Sequence, residues 1–327
     1  MSSGQKPGPL DRELLTSWLA RVAIHDGCDP LVLTSAIWPK WRVWTVDADR
    51  SLADEHVRRV ASWFGLPPEK VTSATLMGIG QRLHGSLKPN LPLWPWIVSL
   101  GNRNRLRRAG MPFCPECLAS DTQPYYRLDW RLAWIVGCEL HGARLVDRCE
   151  RCGAVAEPHR SVAATGDLAH CVACGFDLRC TQRSPVDIQA LGFQLLATRV
   201  FNSGAGDWGN ASISASEWFR RMRSLAIKDL CKVDKRGAAA LGNRQIGLWF
   251  ELQGPIEREA RMRVLSRLVS EVDGPPPRAV GYAAVRCQGK RPRAATKSVP
   301  KKIKMVPIAK ARVQEDWARW LRRNRLW

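Results

Sequence analysis

The sequence predicts a mainly α-helical chain interrupted by a small α+β segment folded around metal, and three observations predict it. Amphipathic helical spacing recurs on both sides of residues 111–182. Seven of the eleven cysteines fall inside that stretch at ligand spacing. Beyond Asp273-Gly-Pro-Pro-Pro277 the chain becomes polar, basic and Pro-interrupted, a composition that packs no core. The expected organisation is a helical region with a helix-turn-helix over 1–110, a double metal-binding segment over 111–182, a helical region over 183–272 and a disordered basic tail over 273–327. A short helix near Gln314–Arg325 would close the tail.

At the N-terminus, Asp11–His25 reads as a helix with Leu14, Leu15, Trp18, Leu19 and Val22 on one stripe, ended by Gly27. Ser51-Leu-Ala-Asp54 resembles a capping box opening a helix to Phe64. Gly65 stops that helix, Leu66-Pro67 turns, and Pro68 opens a second helix to Met77. Ala61 and Gly65 let the two helices approach, as a helix-turn-helix requires. The second helix offers Glu69, Lys70, Thr72, Ser73 and Thr75 outward, a poor set for reading base edges. It suits protein docking as well as a DNA groove. Trp18 and Trp63 are expected in the core. Trp38, Trp41 and Trp44, in a loop-like stretch with Lys40 and Arg42, are candidate partner-binding residues.

Four half-sites then follow: Cys114-Pro-Glu-Cys117, Cys138-Glu-Leu-His141, Cys149-Glu-Arg-Cys152 and Cys171-Val-Ala-Cys174. Two residues between ligands form a tight knuckle that points both side chains at one ion, and zinc takes one knuckle from each of two turns. Eight ligands make two complete sites with no position left for water, so the two zinc ions are read as structural. Gly142, Gly153 and Gly175 follow three of the half-sites, where the chain must turn sharply. Sequential and cross-braced pairing both fit the spacing. His159 and His170 are substitute ligands at most, and Cys28, Cys180, Cys231 and Cys287 have no partner at ligand spacing.

Between the first two half-sites, Tyr126, Trp130 and Trp134 recur every four residues, suggesting a short helix that leads into a strand through Ile135-Val136. These aromatics are expected to be core. Farther on, Pro185–Phe201, Ser214–Lys232 and Pro255–Val272 each show helical spacing, with a capping box at Ser214-Ala-Ser-Glu217. In the last helix the expected apolar face is Ile256, Ala260, Val264, Leu265 and Leu268, with Arg258, Arg261, Arg263 and Arg267 interleaved.

Net charge is +21, and the last 42 residues carry +12 of it, 14 bases against Glu315 and Asp316. Such an excess predicts attraction to polyanions. Candidate phosphate contacts are Arg103, Arg105, Arg107 and Arg108, with Lys290, Arg291, Arg293, Lys301, Lys302 and Lys304 in the tail. A solvated tail that aids solubility is the alternative. The phosphate-binding G-x-x-x-x-G-K-[ST] loop, the zinc-protease H-E-x-x-H and the G-x-S-x-G elbow do not occur, so no enzyme is predicted. No apolar run approaches the length of a membrane span, which predicts a cytoplasmic protein.

Phe113-Cys-Pro-Glu-Cys-Leu-Ala119, Tyr125-Tyr-Arg-Leu128 with Trp130-Arg-Leu132, Cys138-x-x-His-Gly142 with Leu145, and Cys149-x-x-Cys-Gly153 together resemble the TniQ family, which includes the TnsD-type target selectors of bacterial transposons. Leu14-Leu-Thr-Ser-Trp-Leu-Ala-Arg21 supports the resemblance more weakly. It implies two sequential zinc fingers after a helix-turn-helix, and a nucleoid-associated adaptor in a bacterium. Such an adaptor would link DNA, or a target-recognition component such as a CRISPR effector complex, to an AAA+ ATPase of the TnsC or TniB type. That ATPase recruits the transposase, and the resemblance also implies a homodimer. The rival reading is a free-standing zinc-ribbon, helix-turn-helix transcription regulator.

Overall fold

The computed structural model describes residues 7–85, 93–100, 110–233 and 250–273, all within the first of the two units, Met1–Ala279 and Val280–Trp327, into which the chain divides. These residues are mainly helical, with one small two-stranded sheet.

Helix α1 spans Leu15–His25 and begins four residues later than the expected start at Asp11. Glu13 is the cause. Its buried carboxylate accepts from Leu10 N–H, Ser17 Oγ–H and the Arg21 guanidinium, which holds residues 10–13 in a turn. Helix α2, Pro30–Ile37, is an element that eight residues of sequence did not announce. Helix α3, Asp54–Phe64, buries Val57, Val60, Ala61 and Phe64 at helical spacing. Its N-cap is Ala53, so the expected box at Ser51 does not form; Asp54 and Glu55 in the first turn favour the helix dipole instead. Gly65 ends it at φ +65°, where a side chain would be strained. Trp63 falls one position off the buried stripe and is 39% exposed, contrary to expectation.

Helix α4 opens at Pro68 as expected but stops at Ser73, and α5 runs over Met77–His84. Tertiary hydrogen bonds break the single helix expected over Pro68–Met77. The Ala74 carbonyl accepts from Leu15 N–H, and Leu76 N–H donates to the Asp49 carbonyl. The buried faces of α1 to α4 form one core, in which Trp18 lies 4.7 Å from Phe64.

A second core runs from Leu14 to Val269 and joins the cysteine-rich segment to the C-terminal helices. Residues 125–136 do not form the expected helix and strand. Their one regular element is a 3-10 turn, Leu128–Arg131. The backbone on either side pairs outward instead: Tyr126 O accepts from Leu14 N–H, Leu128 N–H donates to Arg12 O, and Ala133 N–H donates to Trp96 O. Tyr126, Trp130 and Trp134 are nonetheless all buried, as expected of core.

Helix α7, Ile188–Ser203, starts at an Asp187 N-cap that accepts from Gln189 and Ala190 N–H. Its buried Gln194 accepts from Val136 and Gly137 N–H and donates to the Gly137 carbonyl, clamping α7 to the segment leading into Cys138. A hairpin follows, β1 Ala205–Trp208 and β2 Ala211–Ser214, turning at Gly209-Asn210 with Gly209 at φ +59°. Helix α8 spans Ala215–Val233. Ser214 Oγ accepts from Glu217 N–H, one half of the expected box; the Glu217 carboxylate turns to Arg220 and Arg221 instead of reaching back.

Helix α9, Pro255–Asp273, corrects the expected face. Met262, Leu265 and Val269 are buried, whereas Ile256 is 63% exposed and Ala260 is exposed. The fully buried Arg258 sits on the inward side. Its Nη1 donates to the Leu132 and Ile135 carbonyls at 3.3 and 3.4 Å, and burial pushes its pKa down to about 10. No helix among the described residues is long and apolar enough to cross a membrane.

Candidate metal centres

Three of the four half-sites fold into the same knuckle. Cys138, Cys149 and Cys171 each donate their N–H five residues ahead, to the carbonyls of Ala143, Ala154 and Phe176. The glycine four residues on donates back to each cysteine carbonyl. Gly142, Gly153 and Gly175 therefore sit at φ +60°, +70° and +70°. The first half-site is built differently. Pro115 opens helix α6, Pro115–Ser120, with Cys114 as N-cap, so Cys114 and Cys117 lie on a short helical turn.

These turns bring the eight residues into two clusters, Cys114, Cys117, Cys138 and His141 in one and Cys149, Cys152, Cys171 and Cys174 in the other. The pairing is sequential, which the spacing had left open. In the first, Cys117 Sγ lies 3.5 Å from Cys138 Sγ, and His141 Nδ1 lies 3.4 to 3.6 Å from the three sulfurs. In the second, Cys149 to Cys174 and Cys152 to Cys171 are each 3.7 Å. A tetrahedral ion with metal–sulfur bonds of about 2.3 Å and a metal–nitrogen bond of about 2.0 Å needs about 3.8 Å between sulfurs and about 3.5 Å from sulfur to nitrogen. Both donor sets fit.

The chemistry of the donors agrees. Hydrogen bonds to Cys114 and Cys138 push the Cys117 thiol far up, and the corresponding bonds from Cys114 and Cys117 pull Cys138 far down. Thiols packed this closely share protons and cannot all ionise unless a cation stands among them. The two clusters differ in exposure. Cys114, Cys117 and Cys138 are buried, while Cys152 is exposed and Cys174 half-buried. His170 is a ligand in neither; its Nδ1 is 2.7 Å from Asp167. His159 stacks on Trp44. Cys28 and Cys180 lie outside both clusters.

A buried charge network that no motif announces ties the N-terminal helices to this segment. Arg131, fully buried, donates to both Asp47 carboxylate oxygens, at 2.6 and 3.2 Å, to Asp49 at 3.1 Å, and to the Val98 carbonyl. Asp49 in turn accepts from Thr16 N–H and Oγ–H. Burial outweighs these partners and pushes the Asp49 carboxyl up to about 6. The folded state therefore holds a proton that the unfolded chain has lost. That contribution is complete below about pH 4 and disappears as pH rises through about 6. The stability of the wild type relative to Asp49→Asn should fall by up to about 3 kcal/mol from pH 4 to pH 7 in urea titrations. Taking the difference between the two proteins cancels acid release of metal, which both share. A difference that does not change with pH would count against the assignment.

Of the other sequence-predicted residues, Trp38 is buried, with Trp41 edge-on at 5.0 Å; Trp41 and Trp44 are half-buried. Trp44 Nε1–H donates to Thr34 Oγ1. Arg103, Arg105, Arg107 and Arg108 lie outside the described residues. So do Lys290, Arg291, Arg293, Lys301, Lys302 and Lys304, the expected terminal helix and Cys287, together with the side chain of Cys231.

No curated protein matches the chain. Residues 5–145 match the model of the TniQ family, a stretch that holds α1 to α6 and all four donors of the first cluster and ends before Cys149.

Proposed function

Because the chain carries a TniQ domain over residues 5–145, from a non-catalytic family of transposition target selection, we propose that it is a zinc-stabilised adaptor that couples target DNA to an AAA+ ATPase of the TnsC or TniB type. The ATPase would in turn bring the transposase. The observation that carries this reading is the coincidence of the family match with the helix pair α3 and α4 and a closed four-donor cluster in one fold. Zinc is the ion that best fits three or four thiolates in a tetrahedron with no open position. It would hold the knuckles together and supply no reaction step.

The DNA contact is made to the backbone rather than to base edges. Helix α4 has only six residues, with Glu69 and Lys70 as its only charges, and offers few of the side chains that read bases. The basic tail, Lys290 to Lys304 included, supplies a sequence-independent phosphate arm by its composition. A second copy of the chain and, where the target is found by guide RNA, a CRISPR effector complex are further partners under this reading.

Co-elution with an AAA+ ATPase of the TnsC or TniB type tests the proposal. Association that is strengthened by duplex DNA is expected. No association with or without DNA, together with tight binding to one operator, would favour the free-standing regulator instead.

A further inference from the structure

We infer that the outward face of α3 is a docking surface for the phosphate backbone of duplex DNA, an assignment that rests on the DNA-contacting part of the function proposed above. While α3 buries Val57, Val60, Ala61 and Phe64, it leaves Arg58, Arg59, Ser62 and Trp63 outside. Two hollows adjoin on this face. Glu55, Arg58, Arg59, Ser62 and Trp63 line the first. The second shares Glu55 and Arg59 and adds Trp38, Lys40, Trp41 and His56.

Three cations, Lys40, Arg58 and Arg59, thus meet on one surface, and among the described residues none of them forms an ion pair. Among the residues that line the two hollows the one carboxylate is that of Glu55, 3.7 Å from His56 Nε2. The aromatic groups give the surface a fixed shape: Trp41 stacks on His56 at 3.8 Å with only 6° between the planes. The buried indole N–H of Trp38 has no acceptor among the described residues. Hydrogen-bond donors outnumber acceptors here, which suits an anion rich in acceptor oxygens.

Duplex DNA fits better than an acidic protein for two reasons. The net charge of +21 gives the whole chain a field that draws in an extended polyanion. The arginines present planar forks that match phosphate oxygens in pairs. In a helix-turn-helix the first helix crosses the backbone while the second enters the groove. Here α3 has the charge for that crossing, and α4 lacks the side chains for reading.

The test is a salt titration of the full-length chain against a fluorescent duplex of arbitrary sequence. The triple variant Lys40→Ala, Arg58→Ala, Arg59→Ala should lose about 2 to 3 from the slope of log affinity against log salt, since each phosphate contact contributes about 0.9. Arg58→Lys with Arg59→Lys should keep the wild-type slope. All three side chains are exposed, and unchanged metal content and near-UV circular dichroism will establish that the variants fold. An unchanged slope in the triple variant overturns the assignment and leaves the adaptor role standing. Loss of ATPase co-elution with an unchanged slope overturns it too, giving the face to an acidic protein surface. A wild-type chain that binds no duplex sinks both this assignment and the DNA-contacting part of the proposed function.

Discussion

Exhaustive chelation, or Cys117→Ser, is expected to unfold residues 110–180 and to loosen the C-terminal helices with them. Structural zinc contributes roughly 10–16 kcal/mol in finger peptides, against a net stability of about 5–15 kcal/mol for a whole domain. Loss of one centre is therefore decisive. Phe113, Cys114, Cys117, Leu118 and Cys138 belong to the same buried cluster as Phe193, Trp218 and Met262, so damage at the first centre passes directly to α7, α8 and α9. The unequal exposure of the two clusters predicts an order. With Cys152 exposed and Cys174 half-buried, a thiol reagent or chelator should strip the second centre first. Trp130 shares the wall of one groove with Cys117 and Cys138, and the larger shift in tryptophan emission should accompany loss of the first centre. Zinc release followed by a colorimetric chelator, with emission recorded in parallel, checks both steps. Simultaneous release, or full release with unchanged emission, would show that the centres do not hold the fold in this way.

Arg131→Met is expected to cost about 3–5 kcal/mol, because it strands two buried carboxylates rather than removing a balanced pair. Asp49 is fully buried and Asp47 nearly so, and both face the guanidinium. The Val98 carbonyl loses its two side-chain donors at the same time. Adding Asp49→Asn to the variant should recover part of the loss, since one stranded charge then disappears. Urea midpoints of the four proteins in this cycle measure the coupling. A cost below about 1 kcal/mol for Arg131→Met, or no recovery in the double variant, would mean that solvent reaches the network and screens it.

The half-sites were legible because ligand spacing is a local property. A knuckle closes within five residues, and the glycine that follows reports its positive φ directly in the sequence. The end of α3 and the start of α4 were legible for the same reason: Gly65 and Pro68 act on their own φ angles. Elsewhere, local signals lost to distant partners. The aromatic period of residues 126–134 suggested a helix, yet its backbone groups bond to residues 12, 14 and 96. In α9 the spacing interleaves four arginines with the apolar face without telling them apart, whereas Arg258 faces inward to two carbonyls supplied by Leu132 and Ile135. Trp63 and Ile256 are large and apolar, and hydrophobicity alone misplaced Trp63 in the core and Ile256 on the buried face, because one residue is about 100° of helix.

The amino-acid sequence by itself determined the chemistry available: eight soft ligands in four pairs, a basic excess, and the turns at Gly65 and the knuckles. These depend on residue type and on separations of a few positions, over which the chain has little freedom. Only the tertiary structure decided which pairs come together into one donor set, where Asp47 and Asp49 find Arg131, and which cations gather on the outer face of α3. Each of those joins residues tens of positions apart, or selects one face of a helix, and packing in three dimensions sets both.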